Sequence, residues 1–205
     1  MTLDLLFAIA AYAFVTTITP GPNNAMLLAS GLTFGFWRTG PHILGIAFGF
    51  SGMVAAVGFG AGELFKLIPH LHEILRVVAT LYLLYLAWCI ARSAPLASEG
   101  SNAGADRKPF NFLQAAAFQW VNPKAWVMAI GAISTYSLPG EFSLSVAVIA
   151  LVYLVVGSPC IALWAGFGSV MRRLMSDPRR VRQINIGMAV LLAASALYPL
   201  VAEIV

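Results

Sequence analysis

Thr19-Pro20-Gly21-Pro22-Asn23-Asn24 stands inside the first long apolar run of this 205-residue chain, where a plain helix would otherwise continue. In the second half of the chain Asn122-Pro123-Lys124 interrupts another such run. Each proline removes a backbone donor and obstructs the carbonyl one turn earlier. In lipid an unpaired backbone group is so unfavourable that breaks persist only where protein or an internal cavity meets the freed groups. Two breaks at matching places in two halves of a chain point to a solute site near the membrane midplane.

The composition agrees with a membrane setting. Hydrophobic residues make up 60% of the chain and charged residues 10%, against about 25% charged in a soluble domain. The long uncharged runs reach the roughly 20 residues that cross a bilayer. We read an all-α polytopic membrane protein with six transmembrane spans, at 3–28, 40–62, 70–92, 111–136, 143–168 and 184–203. The chain is one transmembrane domain, 1–205, whose polar loop 93–110, with Pro95, Gly100, Gly104 and Pro109, separates half 1 (1–92) from half 2 (111–205).

Basic residues set the expected orientation. Arg38, Arg92, Arg107, Lys108, Arg172, Arg173, Arg179, Arg180 and Arg182 follow spans one, three and five, whereas only Lys66 and Arg76 lie on the other side. Such confinement to short loops is a topology signal and not a nucleic-acid surface, so the net charge of +4 implies no nucleic-acid partner. The odd-numbered loops would be cytoplasmic and both termini outside. The N-terminus lacks a basic n-region and reads as a retained first helix. Three spans per half reverse the second half's direction of entry, so related halves would form two inverted three-helix repeats with broken helices 1 and 4. Superposing Pro20 on Pro123 pairs Ile18 with Val121 and Thr19 with Asn122, and a glycine, Gly31 or Gly131, follows each break.

The first break has functional chemistry. Gly21 relaxes the backbone and admits close approach. Asn23 and Asn24 open the second half-helix, whose positive dipole end suits a carboxylate. The carbonyls freed by Pro20 and Pro22 would suit an ammonium. The plainer reading is a kink whose amides cap the helix internally. Lys124 in the second break must find partners or water, because an intramembrane lysine is costly. It would pair with a solute carboxylate or titrate; alternatively it snorkels or caps a half-helix. Gln119, Asn122 and Pro123 supply amides and freed carbonyls beside it.

Other chemistry is sparse. All carboxylates lie near span ends or in loops, so proton coupling would have to use Lys124, His42 or Asp4. His42, His70 and His72 read as interfacial residues. No metal-ligand spacing, catalytic set or cofactor motif is present, which excludes an obvious enzyme. Cys89 and Cys160 read as packing residues. Trp120 and Trp126 flank a break and are the candidate aromatic pocket walls. Gly45, Gly49, Gly52, Gly58 and Gly62 read as sites of close helix contact.

With Thr19-Pro20-Gly21-Pro22-Asn23 ending the first apolar run and Asn122-Pro123-Lys124 in the fourth, the chain resembles the lysine exporter (LysE) superfamily. It looks most like the RhtB-type homoserine/threonine branch, over essentially its whole length. Asn23-Asn24 and the following apolar turn are also similar to the branch exporting cysteine and O-acetylserine, without naming the solute. The resemblance implies a secondary active transporter in the bacterial inner membrane, exporting an amino acid or close derivative by the proton motive force. Its partners would be that solute and membrane lipid, with a homodimer open. Thr19, Pro20, Gly21, Pro22, Asn23 and Asn24 would face Gln119, Asn122, Pro123 and Lys124 across the site. A channel or lipid-handling protein using the breaks as a pore or groove is the rival reading.

Overall fold

The computed structural model describes residues 2–61, 108–174 and 178–201, together with 77, 80, 81, 84, 85, 87, 88 and 90–92. Those between 77 and 91 are helical. The remainder of the expected third span, most of the central loop, and the readings of Gly62, His70, His72 and Cys89 lie outside the described residues.

Helix α1, Leu3–Ile18, starts at Thr2, whose hydroxyl accepts from the Leu5 amide at 3.4 Å. It stops where Pro20 and Pro22 withhold donors. Helix α2, Pro22–Phe34, restarts with proline in its first turn, a position where no N–H is needed. The two axes differ by 58°. Gly35, at φ 84°, ends α2 in a conformation open to glycine. A 3₁₀ turn, Trp37–Thr39, leads into α3, Gly40–Ala56, which runs on as a π-helical turn, Val57–Ala61.

The second half repeats this order. Helix α4, Phe112–Phe118, begins with a capping box in which the Asn111 and Gln114 side chains each accept the other's backbone N–H, at 2.8 and 3.0 Å respectively. A 3₁₀ turn, Gln119–Val121, and the break at Asn122 precede α5, Pro123–Tyr136, again with a leading proline. A 3₁₀ turn, Pro139–Glu141, then leads to α6, Phe142–Val152, a π-helical turn, Tyr153–Gly157, and α7, Ser158–Leu174. Helix α8, Pro178–Val201, follows.

Among the described residues, Trp37–Gly60 and Pro139–Arg172 are long and apolar enough to cross a membrane, and the bent pair α1–α2 passes together as a third. Helix α2 itself runs past the expected span end at residue 28 to Phe34. At 1.5 Å per residue, α1 and α2 are about 24 and about 20 Å long, so the break divides the pair into two comparable halves. Polarity agrees with a lipid setting. Phe7, Phe14, Leu144, Leu151, Leu163 and Phe167 are exposed, whereas Asn24, Thr39, His42, Gln119, Asn122 and Ser145 are buried.

The halves interlock. Helix α2 lies along α7, so close that a Cβ on Gly31 would overlap the Ala165 carbonyl and one on Gly168 would overlap the Leu28 carbonyl. Helix α3 lies against α4 in the same way, through Gly45 on Phe112 and Gly49 on Ala116. Small residues let backbones meet where lipid provides no hydrophobic drive between helices. The expected contact role thus holds for Gly45 and Gly49, and for Gly58, whose Cβ would strike Val146. Among the described residues it finds no support at Gly52, which has no atom within 4 Å of that position. Of the apolar clusters among the described residues, one, with Ile9, Phe50, Met53, Ala129 and Ile149, joins α1, α3, α5 and α6, and another, with Leu27, Ile43, Ala115, Ile161 and Ala165, joins α2, α3, α4 and α7.

Gly31→Val and Gly45→Val are expected to destabilise the purified protein by about 1–3 kcal/mol or more through overpacking. Gly52→Ala should be neutral to slightly stabilising, by up to about 1 kcal/mol. Thermal unfolding followed by size-exclusion fluorescence distinguishes them; equal loss in all three variants would refute glycine-mediated packing.

Candidate functional site

The last carbonyls of α1 and those of the break need partners, because Pro20 and Pro22 provide no N–H and the kink carries the following amides away. Side chains from several elements supply them. The Thr19 hydroxyl donates to Thr16 O at 3.0 Å. Asn24, on α2, donates its amide to Thr17 O at 2.8 Å and to Thr19 O at 2.7 Å. The Trp164 indole, on α7, donates to Ile18 O at 3.2 Å. Lys124, on α5, places Nζ 2.7 Å from Thr19 O, 2.9 Å from Thr19 Oγ1 and 3.2 Å from Pro20 O. From Thr16 to Pro20 every carbonyl is met by a side-chain donor.

The second break is joined to the first by a further pair. Asn23 Nδ2 donates to Gln119 Oε1 at 2.8 Å, and Gln119 Nε2 donates to Asn23 Oδ1 at 3.3 Å and to Ala115 O at 2.9 Å. Gln119 is fully buried, so this amide pair is one an aqueous competitor does not readily loosen. Asn122 caps α5 by accepting the Lys124 amide at 3.2 Å. The N-terminus of α2, by contrast, has no side-chain cap. Its positive end and first-turn amides are the place in this site for an anionic group.

A cavity of about 40 Å³ sits between the breaks. At about 10–15 Å³ per water this is room for a few water molecules. Thr16, Thr17, Asn23, Asn24, Asn122 and Lys124 form its polar wall, and Ile46, Phe50, Met128, Tyr153 and Ile161 its apolar one. The Thr17 hydroxyl is buried without a hydrogen-bond partner. Tyr153 stands in the π-helical turn between α6 and α7, its hydroxyl 3.3 Å from Thr16 Oγ1 and its ring edge-to-face with Phe50 at 4.9 Å. π-Bulges recur at functional sites because they redirect single side chains out of the helical register.

Of the residues expected at the site, Gly21, Asn23, Asn24, Asn122 and Lys124 line the cavity. Thr19, Pro20 and Gln119 contact those residues from behind, and Pro22 and Pro123 set the two helix starts. Two expectations need correction. Gly21 has φ −179°, extended backbone open to any residue. Its small size is required instead by Lys124, whose Cδ would lie 2.7 Å from a Cβ there. Trp120 and Trp126 do not line the cavity. They brace one another, rings at 5.9 Å and the Trp126 indole donating to Trp120 O at 2.8 Å. Phe50 and Tyr153 are the aromatic walls, and no motif marks them in the sequence. Cys160 is buried and donates to Val156 O, consistent with a packing role.

A doubly broken, polar-centred helical core inside an apolar exterior defines a multi-pass membrane translocator. The chain belongs to the LysE type translocator family, whose sequence model matches residues 14–202. It is a transporter and not an enzyme. Similar relatives include the cysteine/O-acetylserine efflux proteins of Escherichia coli (strain K12) and Shigella sonnei (strain Ss046), each 32% identical over 197 residues, 96% of this chain and 97% of the relative. That of Shigella flexneri is 32% identical over the same shares. No solved structure matches the chain.

Removing the Trp164 indole donor with Trp164→Phe should cost about 0.6–2 kcal/mol by leaving Ile18 O unpaired. Gly21→Ala should displace Lys124 and cost about 1–3 kcal/mol. In Gly21→Ala/Lys124→Met the two losses should fall short of additive, since the clash disappears with the lysine. Additive losses in the double-mutant cycle would sink this account of Gly21.

Proposed function

We propose that the protein is a secondary active exporter that carries an amino acid or close derivative out of the bacterial cytoplasm, driven by the proton motive force. The observation that carries this reading is the seat of Lys124: a primary ammonium held by Thr19 O, Thr19 Oγ1 and Pro20 O. That seat has the chemistry an amino acid's own ammonium requires. In the proposed cycle the solute's ammonium takes the carbonyls of Thr19 and Pro20. Lys124 swings to the solute carboxylate, which also meets the uncapped N-terminus of α2. Each ammonium keeps oxygen partners throughout, and the withdrawal of Lys124 enlarges a cavity otherwise too small for an amino acid. The unpartnered Thr17 hydroxyl would accept or donate a bond to the solute.

The architecture in this proposal is six spans in one transmembrane domain, as two inverted repeats with both termini outside and the arginine-rich loops in the cytoplasm. The parallel order of the two halves supports it: helix, break, proline-led helix, 3₁₀ turn, long helix with a π-helical turn. Sulfur-containing and O-acetylated amino acids head the solute panel, because the similar efflux proteins are named for cysteine and O-acetylserine.

In proteoliposomes with an imposed pH gradient, wild type should move such a solute, and Lys124→Gln should lose at least about tenfold in rate, the scale of one charge-assisted bond. Thr17→Val should raise KM more than it lowers the maximal rate. Absence of transport across the amino-acid panel, or wild-type rates in Lys124→Gln, would overturn the proposal.

A further inference from the structure

A second cavity, about 460 Å³, lies farther along α2, toward its junction with α3. The central cavity takes Asn23 and Asn24 from α2 and Phe50 from α3, whereas the second takes Ser30 and Thr33 from α2 and His42 from the start of α3. Packing of Leu27, Ile43 and Ala115 stands between them. The larger cavity therefore opens at the end of the molecule that carries Arg38, Arg92 and Lys108, and Arg92 and Lys108 line it. Among the described residues that line it, none is acidic. The Arg92 guanidinium lies 3.8 Å from the centre of the Trp88 ring.

His42, at the start of α3, is buried, 2% exposed. Its ring lies 5.2 Å from that of Phe110, and among the described residues neither Nδ1 nor Nε2 has a hydrogen-bond partner. A buried polar ring without a partner is unfavourable, and such groups in folded proteins call for a ligand or another role. Close by, Thr39 donates its hydroxyl to Gly35 O at 2.9 Å, so in the Ser30–Thr39 pair at 3.0 Å the proton comes from Ser30. That leaves Ser30 Oγ as an acceptor. The cavity thus combines an imidazole N–H donor, cationic side chains and a hydroxyl acceptor, the complement of a zwitterion.

We propose that this cavity is a loading vestibule that binds the α-amino acid before it reaches Lys124, with His42 donating to the carboxylate and Ser30 accepting from the ammonium. The inference rests on the exporter reading, yet it addresses a separate site. Its two halves are testable separately, by carbethoxylation of His42 and by transport kinetics.

In full-length His70→Gln/His72→Gln protein, His42 is the one remaining histidine. Diethyl pyrocarbonate modification, read at the imidazole absorbance, should proceed in phosphatidylcholine nanodiscs. O-acetylserine should slow it about tenfold, the scale of a hydrogen bond to a charged group. O-acetylethanolamine, which lacks the carboxylate, should not. Protection should persist in Lys124→Gln even as transport is lost, which separates the vestibule from the central site. In transport assays His42→Phe should raise KM about tenfold at unchanged kcat, with partial rescue in His42→Gln, which keeps a donor. An unreactive His42, equal protection by both compounds, or protection by phosphatidylglycerol nanodiscs alone would overturn the vestibule; the last outcome would make it a lipid headgroup site. Protection without any transport would overturn the exporter reading and leave the binding site standing.

Discussion

The pairing of the α1 and break carbonyls is the constraint on which the remaining structure depends. Pro20 and Pro22 withhold the helical donors of Thr16 and Ile18, and the kink carries away those of Thr17, Thr19 and Pro20. Asn24, Trp164 and Lys124 replace those of Thr17, Ile18, Thr19 and Pro20. Asn24 comes from α2, beyond the kink itself, and the other two from α7 and α5, so the kink ties two further helices to the α1–α2 pair. In an apolar medium an unpaired carbonyl is expensive, and the break therefore exists only in the assembled bundle.

Interlocking follows from the same need. For Trp164 to reach Ile18, α7 must lie close to α1 and α2, and glycines at 31 and 168 remove the side chains that would keep the backbones apart. For Asn23 to reach Gln119, α4 must come close as well, and Gly45 and Gly49 of α3 make that room. Half 1 and half 2 are thus joined through buried polar bonds at the centre and small residues around them.

The site is cationic and amide-lined, with no carboxylate among its lining residues. Charge at the cavity wall is one ammonium, that of Lys124, beside the N-terminal end of α2. The tryptophans beside the second break turned out to brace each other, and the walls are instead Phe50 and Tyr153, the latter set into the cavity by a local π-helical turn. A π-helical turn has no composition signal, since it arises from the packing demands of the whole span.

Much was legible before any coordinates. Long uncharged runs require helices, because only internally bonded backbone survives in lipid. Prolines at 20, 22 and 123 require breaks, and polar residues beside breaks at membrane depth require partners. Those are local covalent and solvation facts, so Asn23, Asn24, Asn122 and Lys124 were recognisable from spacing alone. Which partner each takes is a question of tertiary structure. That Lys124 bonds Thr19 and Pro20, that Gly21 is small for the sake of Lys124, that Trp164 serves Ile18 and that His42 is buried all depend on contacts between residues far apart in the chain. Sequence determines which groups will lack a donor; only the packed bundle decides which side chain arrives to supply one.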